Sequence, residues 1–329
     1  MKYVLGIDTS NYTTSIAIIN QEFEIVCDKR KAIEVKQGMK GIRQSEALFQ
    51  HMNNLPELLE SILSEYAYDI KGVCVSSRPR PVRGSYMPVF KAGYNAGKLI
   101  SDSLKVPFYE TSHQEGHIKA GLYPELIISA SDSALDESLA VFHVSGGTTE
   151  ILVNNEIIGG SKDISFGQLI DRMGVNFGFP FPAGASIDKI VCDQFKKIDS
   201  YDCLKQDTLK RFKYISKDCL YINLSGLDSQ ITRLSDSPSD SQDNIENHIF
   251  LYVFYLISQC LKSLTTDVKK QYNIKSVLFV GGVSSSKFIR DFLRKESENE
   301  TVKLYFARPE LSVDNAVGVA LIGGKMLWR

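Results

Sequence analysis

A repeated strand–turn–strand unit constrains what this chain can fold into more than any other feature. The first copy, GIDTSNYTTS, spans residues 6–15, and the second, VSGGTTEIL, spans residues 144–152. In each copy a short turn joins two apolar runs that have the length and composition of buried strands. Each copy also opens a half of the chain in which strand patterns alternate with helix patterns. This alternation predicts an α/β protein built from two similar halves.

The chain length agrees with two domains. At roughly 150 residues per domain, a chain of 329 residues suggests two, and the repeat predicts domains over 1–137 and 138–329. The last helix is expected to pack back towards the first domain. Paired βαβ-rich halves are typical of the actin, sugar-kinase and Hsp70-like ATPase superfold, in which a nucleotide binds in a central cleft. This expectation is an analogy of fold, which by itself does not give a function.

Hydrophobic periodicity predicts most of the elements between these motifs. An apolar stripe at helical spacing covers 44–66, and similar patterns predict further helices: 88–103, 112–122, 166–178, 184–197, 246–272, 286–295 and 314–327. Residues 200–245 are polar and are expected to be irregular. The helix over 88–103 carries small residues that suit close packing, either in the core or at a dimer surface: Ala92, Gly93, Ala96 and Gly97.

The composition is that of an ordinary globular protein, with 43% hydrophobic and 23% charged residues. The formal net charge is −1, so an RNA partner would require a local basic surface or one lent by another subunit. The short apolar run at the start is typical of a buried strand rather than a signal peptide. No apolar run is expected to reach the roughly 18 residues of a membrane helix. A cytoplasmic protein without a membrane partner is therefore expected.

The segment HQEGH contains two histidines four residues apart, His113 and His117. On a helix, this spacing brings both imidazoles to one face, where two neutral imidazoles can chelate one metal ion. Two surface histidines on a polar helix are the alternative. Glu115 lies off the face of the histidines, so the segment differs from the HExxH pattern of metalloproteases and disfavours a peptidase.

Two glycine turns follow predicted strands, one at Gly146 and Gly147 and one at Gly281 and Gly282. Glycines allow backbone N–H groups to approach a phosphate closely, and a helix beginning after the second turn favours anions. An ordinary hairpin and an ordinary βα loop are the alternatives. Asp8, at the end of the first strand, has the position to orient a metal-bound water or a phosphate, or to cap the turn.

The order of these motifs resembles the tRNA N6-adenosine threonylcarbamoyltransferase family, formerly described as O-sialoglycoprotein endopeptidases. GIDTSNYTT (6–14) is similar to the family's GIETSCDxT, HQEGH to HMEGH, and VSGGTT (144–149) to VSGGHT. Near the end, GGVSSS (281–286) is similar to GGVAAN, and SVDNAVGVA (312–320) is similar to CTDNAAMIA. The resemblance extends over nearly the whole chain.

The resemblance implies a divalent metal ion, iron or zinc, bound by His113, His117 and Asp314, with Asp8 and the two histidines as the catalytic residues. It also implies an adenylate ligand, which would be threonylcarbamoyl-AMP, ATP or ADP. The residues expected to hold the adenylate belong to the second half: Val144, Ser145, Gly146, Gly147, Thr148, Asp171, Gly184, Asp188, Gly281, Gly282 and Ser286.

The activity implied is transfer of a threonylcarbamoyl group to N6 of the tRNA adenosine next to the anticodon. The partners implied are tRNA, a homologous dimerising subunit and a small ATPase, with a homodimer as the alternative. A sugar-kinase-like phosphotransferase is disfavoured, because it would leave HQEGH unexplained.

Several positions depart from the family pattern. The family's acidic pair in the first turn is replaced by Asn11, Tyr12 and Thr13, its histidine in VSGGH by Thr148, and its asparagine in GGVAAN by Ser286. These changes favour an alternative, a divergent paralogue that keeps the fold and the metal. Such a paralogue would bind another ligand or serve as a non-catalytic partner subunit.

A further departure replaces the family's glycine loop with RPRPVRGS at residues 78–85. Its Arg78, Arg80 and Arg83 could bind phosphate or RNA, or the segment could be a solvated loop stiffened by proline.

Overall fold

The computed structural model describes residues 1–10, 12–35, 41–123, 138–154, 156–198, 215–235, 242–298 and 301–328. The strands of this part are, in chain order: β1 Tyr3–Thr9, β2 Thr13–Asn20, β3 Ile25–Ala32, β4 Ile70–Arg78, β5 Phe108–Ser112, β6 Leu139–Val144, β7 Thr149–Val153, β8 Glu156–Ser161, β9 Ser216–Asp218, β10 Tyr221–Asn223, β11 Ser276–Val280 and β12 Lys303–Phe306.

The helices of the described residues are, in the same order: α1 Gln44–Tyr66, α2 Phe90–Leu104, α3 His113–Gly121, α4 Phe166–Asn176, α5 Gly184–Ile198, α6 Ser225–Ser235, α7 Gln242–Tyr272, α8 Lys287–Glu296, α9 Pro309–Ser312 and α10 Val317–Trp328. By their contacts these elements divide into two compact units. Unit 1 contains β1–β5 with α1–α3, α9 and α10, and unit 2 contains β6–β12 with α4–α8. The domain boundary at 137 and 138 stays a prediction, because the preceding residues lie outside the described chain.

Unit 1 is built on a five-stranded sheet in the order β3-β2-β1-β4-β5. The pairs of β1 with β4 and of β4 with β5 are parallel, whereas β2 pairs antiparallel with both of its neighbours. Helices cover both faces of β1. Leu5 and Ile7 point into a core shared with α1 and α2, while Val4 points into a second core shared with α10. The central strands are therefore nearly continuous apolar runs, as expected of strands buried on both sides.

The approach of α10 to β1 depends on a glycine. A Cβ atom at Gly6 would lie 2.6 Å from the carbonyl oxygen of Ala316 and 2.6 Å from the amide nitrogen of Ala320. Only a residue without a side chain permits this contact. The small residues of α2 act in a similar way, because Gly93 and Gly97 pack against Thr9 and Val75 of the sheet. They belong to the core of unit 1 rather than to a dimer surface.

Unit 2 is built on a seven-stranded sheet in the order β12-β11-β6-β7-β8-β10-β9. Its β6–turn–β7 hairpin is the second copy of the repeated motif, and β11 lies parallel to β6 and β12. The core includes Phe142 and Phe279 from the sheet, Phe166 from α4 and Phe254 from α7.

The expectation of irregular structure over 200–245 is wrong for part of that segment. Residues 221–223 form β10 and residues 225–235 form α6. Leu227 and Ile231 of α6 are buried in the core of unit 2. With Leu224 and Leu234 they form an apolar stripe at helical spacing, which indicates a helix despite the polar residues between them.

One helix of the described residues, His248–Tyr272 within α7, is long and apolar enough to cross a membrane. The sequence analysis predicted that no apolar segment would reach this length. Of its most apolar window, 78% is buried inside the structure. This degree of burial is typical of a core helix, and it agrees with the contacts of Phe250 and Phe254 in the core of unit 2.

Candidate functional site

The start of α3 fixes the first histidine. Ser112 is the N-cap residue, and its hydroxyl accepts a hydrogen bond from the backbone N–H of Glu115 at 3.2 Å. The Glu115 carboxylate in turn accepts from the N–H of Ser112 at 2.8 Å and from the hydroxyl of Thr111 at 3.0 Å. This capping box makes His113 the first residue of the helix. The capping box also engages the Glu115 carboxylate. This agrees with the prediction that Glu115 lies off the helix face that carries the two histidines.

Three side chains of unit 1 bring one donor atom each to the same point. Nε2 of His113 and Nε2 of His117 lie 3.1 Å apart, and Nε2 of His117 lies 3.1 Å from Oδ1 of Asp314. The third edge, from Nε2 of His113 to Oδ1 of Asp314, measures 3.4 Å. Asp314 lies in the turn between α9 and α10, so the packing of α10 on β1 supplies the third donor.

These separations fit a metal ion. Ligand atoms bonded at about 2.1 Å to one tetrahedral or octahedral ion lie roughly 3.0–3.4 Å from each other. Two imidazoles and one carboxylate are the donor set of many zinc and non-haem iron sites. His113, His117 and Asp314 therefore fit one divalent ion of this type, and the donor set does not distinguish iron from zinc.

Asp8 lies behind His113 rather than among the three donors. Both of its carboxylate oxygens are 3.1 Å from Nδ1 of His113, and Oδ1 also accepts a hydrogen bond from the hydroxyl of Ser76. A carboxylate can only accept, so Nδ1 carries a proton, and in the neutral ring the lone pair of Nε2 points to the donor cluster. This is the carboxylate–histidine arrangement that orients metal ligands in many proteins. The geometry therefore makes Asp8 a positioning residue.

Asp314 is oriented in a similar way by a buried polar chain. The Ser10 hydroxyl donates to Oδ2 of Asp314 at 2.5 Å, which leaves Oδ1 facing the imidazoles. The carbonyl oxygen of Ser10 accepts from Nε2 of His51 at 2.6 Å, and Nδ1 of His51 lies 2.8 Å from the hydroxyl of Thr14. Because a carbonyl accepts only, His51 carries its proton on Nε2. Burial lowers the pKa of His51, which keeps the ring neutral.

The charges of the cluster are strongly coupled. Burial opposes protonation of His113, but the charge of Asp8 and hydrogen bonds to Asp314 and Asp8 raise its pKa well above the usual value. Burial of Asp314 favours the neutral acid, yet hydrogen bonds from His113 and His117 hold its pKa well below the usual range. Without a metal ion, the two carboxylates therefore favour a proton on His113. A divalent cation would replace that proton.

In unit 2, the two glycine turns predicted to bind the adenylate lie next to each other. Val144 ends β6, and the turn that follows is closed by a hydrogen bond from Ser145 N–H to the carbonyl of Thr148 at 2.8 Å. The hydroxyl of Ser165, which caps α4, donates to the carbonyl of Gly146 at 2.8 Å. The second glycine turn is adjacent, because a Cβ at Gly281 (φ +95°) would lie 2.5 Å from the carbonyl oxygen of Val144.

The glycines of these turns differ in their surroundings. A Cβ atom added at Gly167 or Gly281 would clash with the backbone of the first turn. A Cβ at Gly146, Gly147 or Gly282 would meet no atom within 4 Å among the described residues. The crowded glycines let the turns pack together, whereas the open ones leave backbone facing free space. Such exposed backbone fits the close approach of a phosphate.

The two acidic residues predicted for the adenylate site bind the protein itself. Asp171 of α4 accepts from the N–H of Ala183 at 2.8 Å, next to Gly184 at the start of α5, and burial raises its pKa. Asp188 accepts from the Ser286 hydroxyl at 2.5 Å and from the N–H of Lys287 at 3.0 Å. Both oxygens of Asp188 are thus used at the start of α8.

A family model described as tRNA N6-adenosine threonylcarbamoyltransferase (TsaD) matches residues 24–321. The chain belongs to this family. The tRNA N6-adenosine threonylcarbamoyltransferase of Bacillus subtilis is 27% identical over 98% of this chain and 89% of that protein. The protein of the same name from Prochlorococcus marinus is 26% identical over 100% of this chain and 91% of that protein.

Solved structures confirm the predicted fold. Component A of the (R)-2-hydroxyglutaryl-CoA dehydratase of Acidaminococcus fermentans has a TM-score of 0.55 and 14% identity, with 100% of both chains covered. Full-length HypF in its phosphate- and nucleotide-bound form has a TM-score of 0.60 and 14% identity, over 99% of this chain and 46% of that chain. At such identities the likeness concerns the fold alone, which is that of the actin, sugar-kinase and Hsp70-like ATPases.

Sequence reasoning missed the residues that orient the donors, above all Ser10 and Ser76, and the Ser165 cap of α4. Serine beside a turn or at a strand end is too common to be singled out without a contact partner. Asn11, one of the departures from the family pattern, lies outside the described residues.

Proposed function

We propose that this chain transfers the threonylcarbamoyl group of threonylcarbamoyl-AMP to N6 of the tRNA adenosine next to the anticodon. The observation that carries the proposal is the convergence of the His113, His117 and Asp314 donor atoms within 3.4 Å of one another. Membership of the threonylcarbamoyltransferase family supports the acyl donor and the acceptor.

In the proposed reaction, the N6 amine attacks the carbamoyl carbon and the bond from that carbon to the phosphate oxygen breaks. AMP leaves with the bonding electron pair, and the amine loses one proton to solvent. An iron or zinc ion, when bound, would supply Lewis-acid polarisation of the acyl donor. His113 and His117 offer their Nε2 lone pairs, Asp8 keeps the proton of His113 on Nδ1, and Ser10 orients Asp314.

We propose that the open turns of unit 2 hold the adenylate, which would be threonylcarbamoyl-AMP, ATP or ADP. The backbone at Gly146, Gly147 and Gly282 has free space beside it, as contact with phosphate oxygens requires. The start of α4, where Ser165 bonds to the turn, adds the favourable end of a helix dipole.

The proposed partners are tRNA, a homologous dimerising subunit and a small ATPase, with a homodimer as the alternative. The proposed location is the cytoplasm, without a membrane partner.

A transfer assay tests this proposal directly. The purified chain would be incubated with tRNA, labelled threonine, bicarbonate, ATP and the family's partner proteins, and label in the tRNA would be counted. We expect transfer by the wild type and none by His113→Ala. Absence of transfer by the metal-loaded wild type, in a mixture where a conventional family member is active, would contradict the proposal.

One observation favours a second candidate, a paralogue that keeps the metal but acts as a non-catalytic partner subunit. Ser286 and the N–H of Lys287 occupy both oxygens of Asp188, which is expected to contact the adenylate. Complementation of a strain depleted of its authentic transferase distinguishes the two. Growth with the wild-type chain supports the transferase, whereas growth only with Ser286→Asn, which restores the family's residue, supports the paralogue.

A further inference from the structure

One stretch of this chain carries basic side chains without any acidic ones. Residues 70–101 contain six Lys or Arg side chains and no Asp or Glu, although the whole chain has a net charge of −1. Three of the six are Arg78, Arg80 and Arg83. They belong to residues 78–86, which we call the basic loop. A nucleic-acid-binding protein without a global positive charge requires such a local concentration.

The basic loop is hydrogen-bonded to α3, the helix that carries His113 and His117. The carbonyl of Pro79 accepts a hydrogen bond from the N–H of Gln114 in α3 at 3.0 Å. Shortly after the loop, the ring of Phe90 lies 5.9 Å from the ring of His113. The loop therefore begins beside α3, and the chain that follows it returns to α3, within unit 1. A polyanion bound at the start of the loop would lie close to the helix that carries His113 and His117.

The loop is stiff and presents its charge to solvent. Arg80 and Arg83 are exposed, and Tyr86 is 62% exposed. The N–H of Arg80 donates to the Ser85 hydroxyl at 3.0 Å, and the N–H of Ser85 donates to the carbonyl of Val82 at 3.1 Å. Prolines at 79 and 81 further restrict the backbone. A preorganised loop loses little entropy when it binds a ligand.

Arg78 and Arg83 are available for a ligand. Among the described residues, the ion pairs do not include Arg83 or Arg78, and Arg78 bonds only to the neighbouring Ser77 hydroxyl at 3.3 Å. Arginine binds phosphate oxygens with two parallel N–H groups. An exposed tyrosine beside them offers a face on which an unpaired base can stack.

We propose that the basic loop binds the phosphodiester backbone of the RNA acceptor, with Tyr86 stacking on an unpaired base, and so holds that RNA beside the metal donors. This inference rests on the proposed function. Cations spaced along an exposed loop fit an extended polyanion better than a single phosphate group, and the adenylate segments belong to unit 2. RNA is therefore favoured over the adenylate as the ligand of the loop.

The test is the salt dependence of tRNA binding by the full chain. The dissociation constant of the metal-loaded protein for unmodified substrate tRNA would be measured at several salt concentrations for wild type and Arg80→Gln/Arg83→Gln. Each lost phosphate contact lowers the slope of log Kd against log salt by about 0.7–0.9. The double variant should therefore lose roughly one to two units of slope. Between 1 M and 0.1 M salt, the ratio of its Kd to the wild-type Kd should then increase about ten- to hundredfold.

A matched control removes the same charge elsewhere. Lys270→Gln/Lys303→Gln changes two exposed cations of unit 2 and should keep the wild-type slope. Tyr86→Leu should weaken binding several-fold without changing the slope, because stacking carries no charge. Metal content and thermal midpoint would be measured for each variant, so that misfolding is recognised.

The outcomes separate the two proposals. Equal slopes for the loop variant and the control overturn the loop proposal, even if the wild type transfers threonine. A reduced slope in a chain that transfers no threonine overturns the transferase and leaves the loop as an RNA-binding surface. No binding of tRNA by the wild type overturns the loop proposal.

Discussion

The candidate metal donors of unit 1 are side chains, whereas the glycine turns of unit 2 offer mainly backbone groups. In unit 1, two of the candidate ligands are oriented by hydrogen bonds to other side chains. Asp8 orients His113, and Ser10 orients Asp314. In unit 2 the open surface is backbone at Gly146 and Gly147, while the nearby carboxylates bond to the protein itself. A site made of side chains depends on each residue, whereas a site made of backbone tolerates substitution around it.

This difference accounts for the departures from the family pattern. Thr148 stands in the first turn, where the hydrogen bond that closes the turn uses its backbone carbonyl rather than its side chain. Ser286 stands at the start of α8, where its hydroxyl accepts from the N–H of Ile289 and acts as an N-cap. Both residues preserve the backbone conformation. His113, His117 and Asp314 have no comparable substitute, because each provides a donor atom.

Removing a donor should have the largest effect. His113→Ala deletes one of three converging ligands, and we expect metal content to fall from about one ion per chain to below about one tenth, since two ligands rarely retain a divalent ion. Elemental analysis after dialysis measures it. His248→Ala, at an exposed histidine of unit 2, is the control. Equal metal content in the two variants would show that the triad is not the metal site.

Removing the support of a donor should have a smaller effect. Asp8→Asn keeps the shape of the side chain but removes the charge that holds the Nδ1 proton of His113. Loss of such a partner weakens metal binding roughly 10–100-fold, which competition with a chromophoric chelator measures. Asp28→Asn, on β3 of the same sheet, should bind metal like the wild type. An Asp8→Asn affinity within twofold of the wild type would contradict the orienting role.

A ligand site formed by backbone groups should bind more weakly when a side chain fills the space beside it. A Cβ at Gly147 meets no described atom within 4 Å, so Gly147→Ala should leave the thermal midpoint unchanged. The same methyl group would occupy the space proposed for a phosphate, and the Kd for ADP should rise about tenfold, the equivalent of one lost hydrogen bond. Calorimetric titration measures this. Gly226→Ala, an equally open glycine of α6, should bind ADP normally, and equal affinities for both variants would contradict the proposed cradle.

The smallest predicted effect is on the free energy of unfolding, through the contact of Asp163 with the start of α6. Burial of Asp163 acts to raise its pKa, but hydrogen bonds from the N–H groups of Leu224 and Ser225 at the start of α6 outweigh it and lower the pKa to about 2. A lowered carboxylate pKa stabilises the fold above the unfolded value of about 3.9. That contribution is lost as the pH falls through about 2.

Asp163→Asn should therefore reduce the free energy of unfolding by about 1 kcal/mol near pH 7, because the amide lacks the charge that interacts with the start of α6, and the difference should shrink as the pH falls from about 4 towards 2. Urea titrations across this range measure it. Asp218→Asn, at an exposed strand end of the same unit, should show little difference at any pH. A constant difference down to pH 2 would contradict the capping role.

The sequence predicted the parts of the site that are local. The four-residue spacing of His113 and His117 predicted two imidazoles on one helix face, and the strand–turn–strand repeat predicted both sheets. Asp314 followed only from the resemblance, because 197 residues separate it from His117 and no periodicity spans that distance. Ser10 and Ser76 were missed because their roles depend on tertiary partners that the sequence does not name, whereas the apolar stripe of α6 was obscured by the polar residues around it.

The contact of α10 with β1 through Gly6 also sets an order of events during synthesis. The described elements of unit 2 all lie between His117 and Asp314 in the sequence, so the ribosome releases two of the candidate donors long before the third. These elements of unit 2 are consecutive in sequence and can fold as they emerge, whereas unit 1 must close over a long separation, which is slow. Capture of an ion by all three candidate donors would therefore be a late step of maturation, which a nascent chain could not complete.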